Sequence, residues 1–191
     1  EIVHKFNTVY GDTLTDPEIV LSSNKACLRL PGIDGKAKMS KSLGNCIYLS
    51  DEEDVAKKKI MSMFTDPNHL RVQDPGRVEG NPVFIYLDAF SRPEHFAEFL
   101  PEYQNLDELK AHYQRGGLGD VKVKKFLNNV MQAELGPIRE RRKMWEQRTE
   151  DVFDILKAGT EVAREKAAAT LHDVRSSMRI NYFEDQDFLN Q

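Results

Sequence analysis

Residues 35 to 45 read Gly35-Lys36-Ala37-Lys38-Met39-Ser40-Lys41-Ser42-Leu43-Gly44-Asn45. Lys38 and Lys41 stand three residues apart, with the hydroxyls of Ser40 and Ser42 interleaved. Lysines are compact cationic point charges suited to phosphate oxygens, and hydroxyls add hydrogen bonds. Gly35 and Gly44 give the segment the freedom to close over a ligand and open again. A loop of this kind can stabilise negative charge developing on a leaving pyrophosphate. It is not a Walker A loop, whose lysine directly follows a glycine. Here Lys38 follows Ala37 and Lys41 follows Ser40. The plain alternative is a solvated Lys/Ser loop without a ligand.

On either side, Cys27-Leu28-Arg29-Leu30 and Cys46-Ile47-Tyr48-Leu49 alternate weakly and read as short strands. Upstream, residues 1 to 10 read as a helix, Gly11-Asp12 breaks it, and residues 13 to 26 read as loop. Downstream, helix signals dominate. Ser50 with Glu53 forms a capping-box pattern, and Asp51 to Asp54 fill a first turn where the helix dipole favours anions. Asp66-Pro67-Asn68 is expected to close that helix. Asn81-Pro82, Asn105 and Asp120 are expected helix starts. After Asp120, the residues Val123, Phe126, Leu127, Val130 and Met131 make one apolar stripe at helical spacing. Gly136-Pro137 is expected to stop that helix and start another. Ile138, Trp145, Val152 and Leu156 then mark the buried face of a long helix ended by Gly159. A last helix would bury Ala163, Ala167, Leu171, Val174 and Met178. The acidic stretch from Glu184 to Asp187 is expected to fray.

The expected fold is therefore mainly α: short strands around the lysine loop, then a bundle of roughly six helices. The 191 residues are 40% apolar, enough for a real core, and no apolar run is long enough to span a bilayer. Cys27 and Cys46 form no Cys-x-x-Cys pair, and no histidines cluster. This argues against a disulfide framework or a zinc site and fits a reducing cytosol. The net charge of −4 suggests no polyanion partner by itself, but the distribution does. Between Lys110 and Arg148, ten Lys or Arg face four Asp or Glu, a local net of +6. Such a band is either a footprint for nucleic acid or an ordinary solvated face. Lys122, Lys124 and Lys125 tip the reading toward nucleic acid, because cations at a helix start oppose its dipole unless they meet a polyanion.

Lys38-Met39-Ser40-Lys41-Ser42 is identical, letter for letter, to the second signature of class I aminoacyl-tRNA synthetases. Further stretches resemble the tryptophan-specific bacterial branch of that family. They are Ser62-Met63-Phe64-Thr65-Asp66-Pro67, Asp74-Pro75-Gly76, Glu79-Gly80-Asn81-Pro82-Val83-Phe84, Gly116-Gly117-Leu118-Gly119-Asp120, and Glu134 to Arg142. The resemblance covers essentially the whole chain. The family's first signature, His-Ile-Gly-His, is absent, so the chain resembles the C-terminal half of such an enzyme.

The resemblance implies that residues 1–65 are the tail of a Rossmann-type catalytic domain and 66–191 a helical domain on the tRNA anticodon side. It implies that Lys38, Met39, Ser40, Lys41 and Ser42 bind ATP, with Lys41 the larger contributor to adenylate formation and Lys38 the lesser. It implies that the Leu30 main chain meets the adenine. Magnesium would travel with ATP, and the sequence shows no metal site of its own. The implied partners are tRNA(Trp), ATP and L-tryptophan, in a cytoplasmic homodimer, with Arg115, Lys122, Lys124 and Lys125 toward the tRNA. The implied activity is tryptophan–tRNA ligation, with the segment inactive alone. The rival reading is a non-catalytic tRNA-binding module descended from a synthetase.

Overall fold

The computed structural model describes residues 1–183, so the stretch from Glu184 to Asp187 lies outside the described residues. The elements are α1 (Ile2–Tyr10), a 3-10 turn (Lys25–Cys27), α2 (Glu53–Met61), α3 (Pro82–Phe90), α4 (Pro93–Phe99), α5 (Leu106–Arg115), α6 (Asp120–Glu146) and α7 (Thr149–Ser177). The chain divides into two units, Leu21–Met144 and Glu1–Val20 with Trp145–Gln191.

The unit Leu21–Met144 holds the core. At the start of α3 the Asn81 Oδ1 accepts from the Val83 amide at 3.1 Å, and Pro82 occupies the first helical position. The Asn105 side chain caps α5 in the same way, from the Glu108 amide at 3.0 Å. In α6 the expected stripe is buried, with Val123, Phe126, Leu127, Val130 and Met131 joined by Leu135. It packs with Ile60 of α2 and Met63 just beyond it, Val83, Phe84 and Leu87 of α3, Phe96 of α4, and Leu109 and Tyr113 of α5. Each such side chain contributes about 1.5–3 kcal/mol on leaving water.

Mainly helical content agrees with the sequence reading, but several local expectations do not hold. The two short strands are absent: the described residues contain only one isolated antiparallel bridge, Pro31 with Lys38. Cys27 instead closes a 3-10 turn whose Asn24 side chain accepts from the Ala26 amide at 3.0 Å. A strand needs a neighbour to take a run of its backbone bonds, and among the described residues the two segments have, apart from local turns, only the long bond from the Met39 amide to the Leu30 carbonyl (3.4 Å). The Ser50/Glu53 capping box does not form. The N-cap of α2 is Glu52, without a side-chain bond, and Asp51 turns back to the Tyr48 amide (2.9 Å) and Lys59 (2.5 Å). That helix ends at Met61, before Asp66. Asp120 opens α6, but its carboxylate accepts from the Tyr113 hydroxyl at 2.6 Å rather than capping its own helix.

The largest correction concerns Gly136-Pro137, which lies inside the continuous α6. A helical proline removes a donor and crowds the carbonyl four residues earlier, at a cost of about 3 kcal/mol. Continuing the helix keeps Leu135 buried and Ile138 packed on the core. The break falls at residues 147–148, where the Arg148 amide returns to the Trp145 carbonyl at 2.9 Å.

In the other unit, the Asn7 side chain of α1 folds the following turn back, accepting from the amides of Thr13 (3.2 Å) and Leu14 (2.9 Å). α7 is one helix of 29 residues rather than two, and Gly159 does not interrupt it. An isolated glycine costs a helix only about 1 kcal/mol, and the Ala, Glu, Lys and Arg residues beyond it are strong helix formers. Neither α1 nor α7 has a buried residue. The expected buried faces through Val152 and Leu156, and through Ala163 to Leu171, are not buried: Leu156 and Leu171 are exposed.

Candidate functional site

The segment between Pro31 and Cys46 is tied down at its base and open at its tip. Across the base, the Gly32 amide donates to the Ala37 carbonyl (2.8 Å), the Met39 amide to Leu30 (3.4 Å) and the Ile33 amide to Asn45 (2.9 Å). From α3, the Tyr86 hydroxyl donates to the Pro31 carbonyl at 2.9 Å. Burial pushes this phenol's pKa well up, so it remains a donor. Behind α2, the Phe64 amide donates to the Ile33 carbonyl at 2.8 Å.

Asn45 is the residue that knits the loop, and sequence reading gave it no role. Its side chain is buried under the loop, where Oδ1 accepts from the Ser40 amide at 2.8 Å. Its Nδ2 reaches Asp34 Oδ1 (3.3 Å) and the Lys38 carbonyl (3.4 Å). The only signal for it was its place directly after a turn glycine, where a short polar side chain can bond back to the backbone.

At the tip, Lys38 and Lys41 are exposed, and neither ammonium has an ion pair or hydrogen bond among the described residues. The Ser40 and Ser42 hydroxyls lie 2.9 Å apart and bond to each other. Met39 turns the opposite way, into an apolar cleft of about 350 Å³ lined also by Leu30, Ile47, Tyr86, Met131 and Leu135. Leu30 thus lies directly behind the loop, its carbonyl engaged by Met39. On the outer side, a depression of about 230 Å³ brings Arg29 beside Lys36 and Lys38. Arg29 belongs to the segment read as a strand, and its alignment with the lysines was not legible from spacing. The loop therefore presents free cations and two hydroxyls on a fixed base, a donor set suited to a polyphosphate.

The four residues expected to face nucleic acid separate. Arg115 and Lys125 are exposed. Lys122 pairs with Glu102 at 2.6 Å, which holds its ammonium pKa up and the Glu102 carboxyl down. Lys124 is the correction: it is buried, and its Nζ donates to the carbonyls of Met63 (2.6 Å) and Met61 (3.1 Å). The dipole cost of a cation at the start of α6 is thus offset by the carbonyls at the end of α2. Elsewhere in the band, Lys110, Lys143 and Arg148 are ion-paired and Arg139 is buried. Arg115, Lys125 and Arg141 remain as exposed cations without an ion pair among the described residues.

Residues 1–136, which include the whole lysine loop, match the family of class I tRNA synthetases for tryptophan and tyrosine. The chain belongs to that family. Over 184 residues it is 57% identical to the tryptophan–tRNA ligase of Clostridium longisporum, covering 96% of this chain and 51% of the relative. It is 53% identical over the same length to the tryptophan–tRNA ligase of Lactococcus lactis, covering 52% of that protein. The crystal structure of tryptophanyl-tRNA synthetase from Campylobacter jejuni, complexed with ADP and tryptophan, is similar with a TM-score of 0.66 and 28% identity. That match covers 93% of this chain and 51% of the other. The chain spans about half the length of the curated relatives it matches. Among the described residues, no helix is long and apolar enough to cross a membrane. Nor do three or more His, Cys, Asp or Glu side chains gather as a metal-binding set among them.

Proposed function

We propose that this chain is part of a tryptophan–tRNA ligase and carries the loop that acts on the ATP phosphates. The observation that carries the reading is the pair of exposed, unpaired ammonium groups of Lys38 and Lys41 on a loop with a hydrogen-bonded base. The tryptophan carboxylate attacks the α-phosphorus of ATP and pyrophosphate leaves. The protein forms no covalent bond in this step, and its part is positioning and charge stabilisation. Lys41 meets the charge that grows on the departing pyrophosphate, Lys38 assists, and the hydroxyls of Ser40 and Ser42 exchange their mutual bond for phosphate oxygens. Met39 keeps the loop seated by its apolar side, beside Leu30, whose main chain lies toward the adenine. Magnesium enters as part of the MgATP substrate.

The aminoacyl group then passes to tRNA(Trp), whose backbone is met by Arg115 and Lys125, with Lys122 held in its ion pair. In this reading residues 1–65 continue the catalytic domain and 66–191 form the tRNA-side helical domain of a cytoplasmic homodimer. The test is Lys41→Ala in the complete protein, followed by tryptophan-dependent exchange of pyrophosphate into ATP. Losing one preorganised charge-stabilising donor raises the barrier by about 2–4 kcal/mol, with tryptophan affinity unchanged. Weakened tryptophan binding with an unaltered activation rate would refute the assignment.

A further inference from the structure

Lys124 bonds the end of one helix to another without a carboxylate partner. Its ammonium is buried and donates to Met63 and Met61, the carbonyls at and just beyond the C-terminus of α2. The last carbonyls of a helix lack intrahelical partners and carry the negative end of its dipole. The neighbouring ones are already served: Lys58 by the Ser62 amide, Lys59 by the Ser62 hydroxyl at 2.8 Å, and Ile60 by the Met63 amide at 3.1 Å. Lys124 completes the cap. Desolvation lowers its pKa, and the charge of Asp120, a carboxylate itself bonded to Tyr113, opposes that shift.

The capped segment leads directly to the lysine loop. The residue after Met63 is Phe64, whose amide holds the Ile33 carbonyl. Its ring lies against Gly35, where a Cβ would come within 2.9 Å and where the backbone has φ of 66°. Ile33 in turn donates to Asn45, the residue beneath the loop. A continuous set of contacts thus runs from α6 through the end of α2 to the root of residues 36–44.

We infer that Lys124 is a positioning residue for the lysine loop, fixing its root through Met61, Met63 and Phe64 rather than contacting any substrate. The consequence for ATP rests on the function proposed above, whereas the mechanical link does not. The two are therefore tested separately, in the complete protein carrying this segment. Lys124→Met keeps the length of the side chain and removes its charge and donors. Lys124→Gln keeps an amide donor.

Amide hydrogen exchange at Ile33, Phe64 and Ser40 should accelerate about tenfold or more in Lys124→Met and less in Lys124→Gln. Amides of α3 and α5 should keep their protection, and trypsin should cut faster after Lys38 and Lys41. In pyrophosphate exchange, KM for ATP should rise and kcat fall, with KM for tryptophan unchanged. Unaltered exchange at Ile33 and Phe64 in folded Lys124→Met would overturn the inference. So would an equal loss of protection throughout α3 and α5, or failure of both variants to fold, since Lys124 would then support the fold as a whole. Loosened loop amides in a protein whose wild type lacks exchange activity would uphold the link and remove the functional reading instead.

Discussion

Asn45→Ala isolates the contribution of loop order. The substitution removes three hydrogen bonds at once: a well-formed one from the Ser40 amide at 2.8 Å, and two long ones to Asp34 and Lys38 at 3.3 and 3.4 Å. A typical bond contributes about 0.5–1.5 kcal/mol net, and the two long ones belong at the bottom of that range. The sum is about 1.5–2.5 kcal/mol, or a factor of roughly 10–70 in the population of the opened loop. The loss should be local, because Asn45 lies outside the apolar cluster that holds α3, α5 and α6 together. Tryptic cleavage after the exposed Lys38 and Lys41, followed by mass spectrometry, reads the opened population directly. Asn45→Asp provides the control of sign. It places a carboxylate where Nδ2 now meets Asp34, and two charges at that distance repel by about 1 kcal/mol even at the dielectric of water. Cleavage should therefore be faster than wild type in both variants, although Asn45→Asp keeps the acceptor for the Ser40 amide. If Asn45→Asp cleaves no faster than wild type, or if Asn45→Ala lowers global stability while cleavage stays constant, Asn45 does not hold the loop.

Gly116→Ala should destabilise the unit by more than about 1–2 kcal/mol, since the residue has φ of 85° and a Cβ would lie 2.2 Å from the Gln73 carbonyl oxygen. Urea midpoints measure this, and an unchanged midpoint would contradict the geometry. The His112 pKa is lowered by desolvation, with Arg115 and Lys122 adding repulsion. The unfolded chain thus takes up this proton first, near pH 6.5, so the contribution to stability is complete above about that pH and is lost as pH falls through the lower folded value. His112→Gln should lose less stability than wild type between pH 7.5 and 5, and equal losses would exclude His112 as the source. Neutralising Arg115 and Lys125 together should flatten the slope of log tRNA affinity against log salt by about one to two units. Adding Lys124→Ala should flatten it no further, because that side chain is buried on the Met61 and Met63 carbonyls.

What the sequence determined by itself was local. Asn81-Pro82 and Asn105 start helices because a cap needs only a side-chain oxygen and an amide two or three residues away. The α6 stripe from Val123 to Met131 was legible because helical spacing alone puts those residues on one face. The lysine loop was legible as chemistry, since its charges and hydroxyls are contiguous, but its fastening was not. Asn45 acts across the loop, Tyr86 reaches it from 55 residues away, and Arg29 joins the lysines only once the chain has turned. Lys124 was read as surface because pattern cannot tell which neighbour meets a helix start; the end of α2, more than 60 residues earlier, supplies two carbonyls. The tertiary structure also decided that Pro137 does not end α6. Local preference opposes a helical proline by about 3 kcal/mol. Burial of Leu135 and the packing of Ile138 favour continuation by a similar amount, about 1.5–3 kcal/mol for each fully buried side chain, and that contribution exists only when the core is there to receive them.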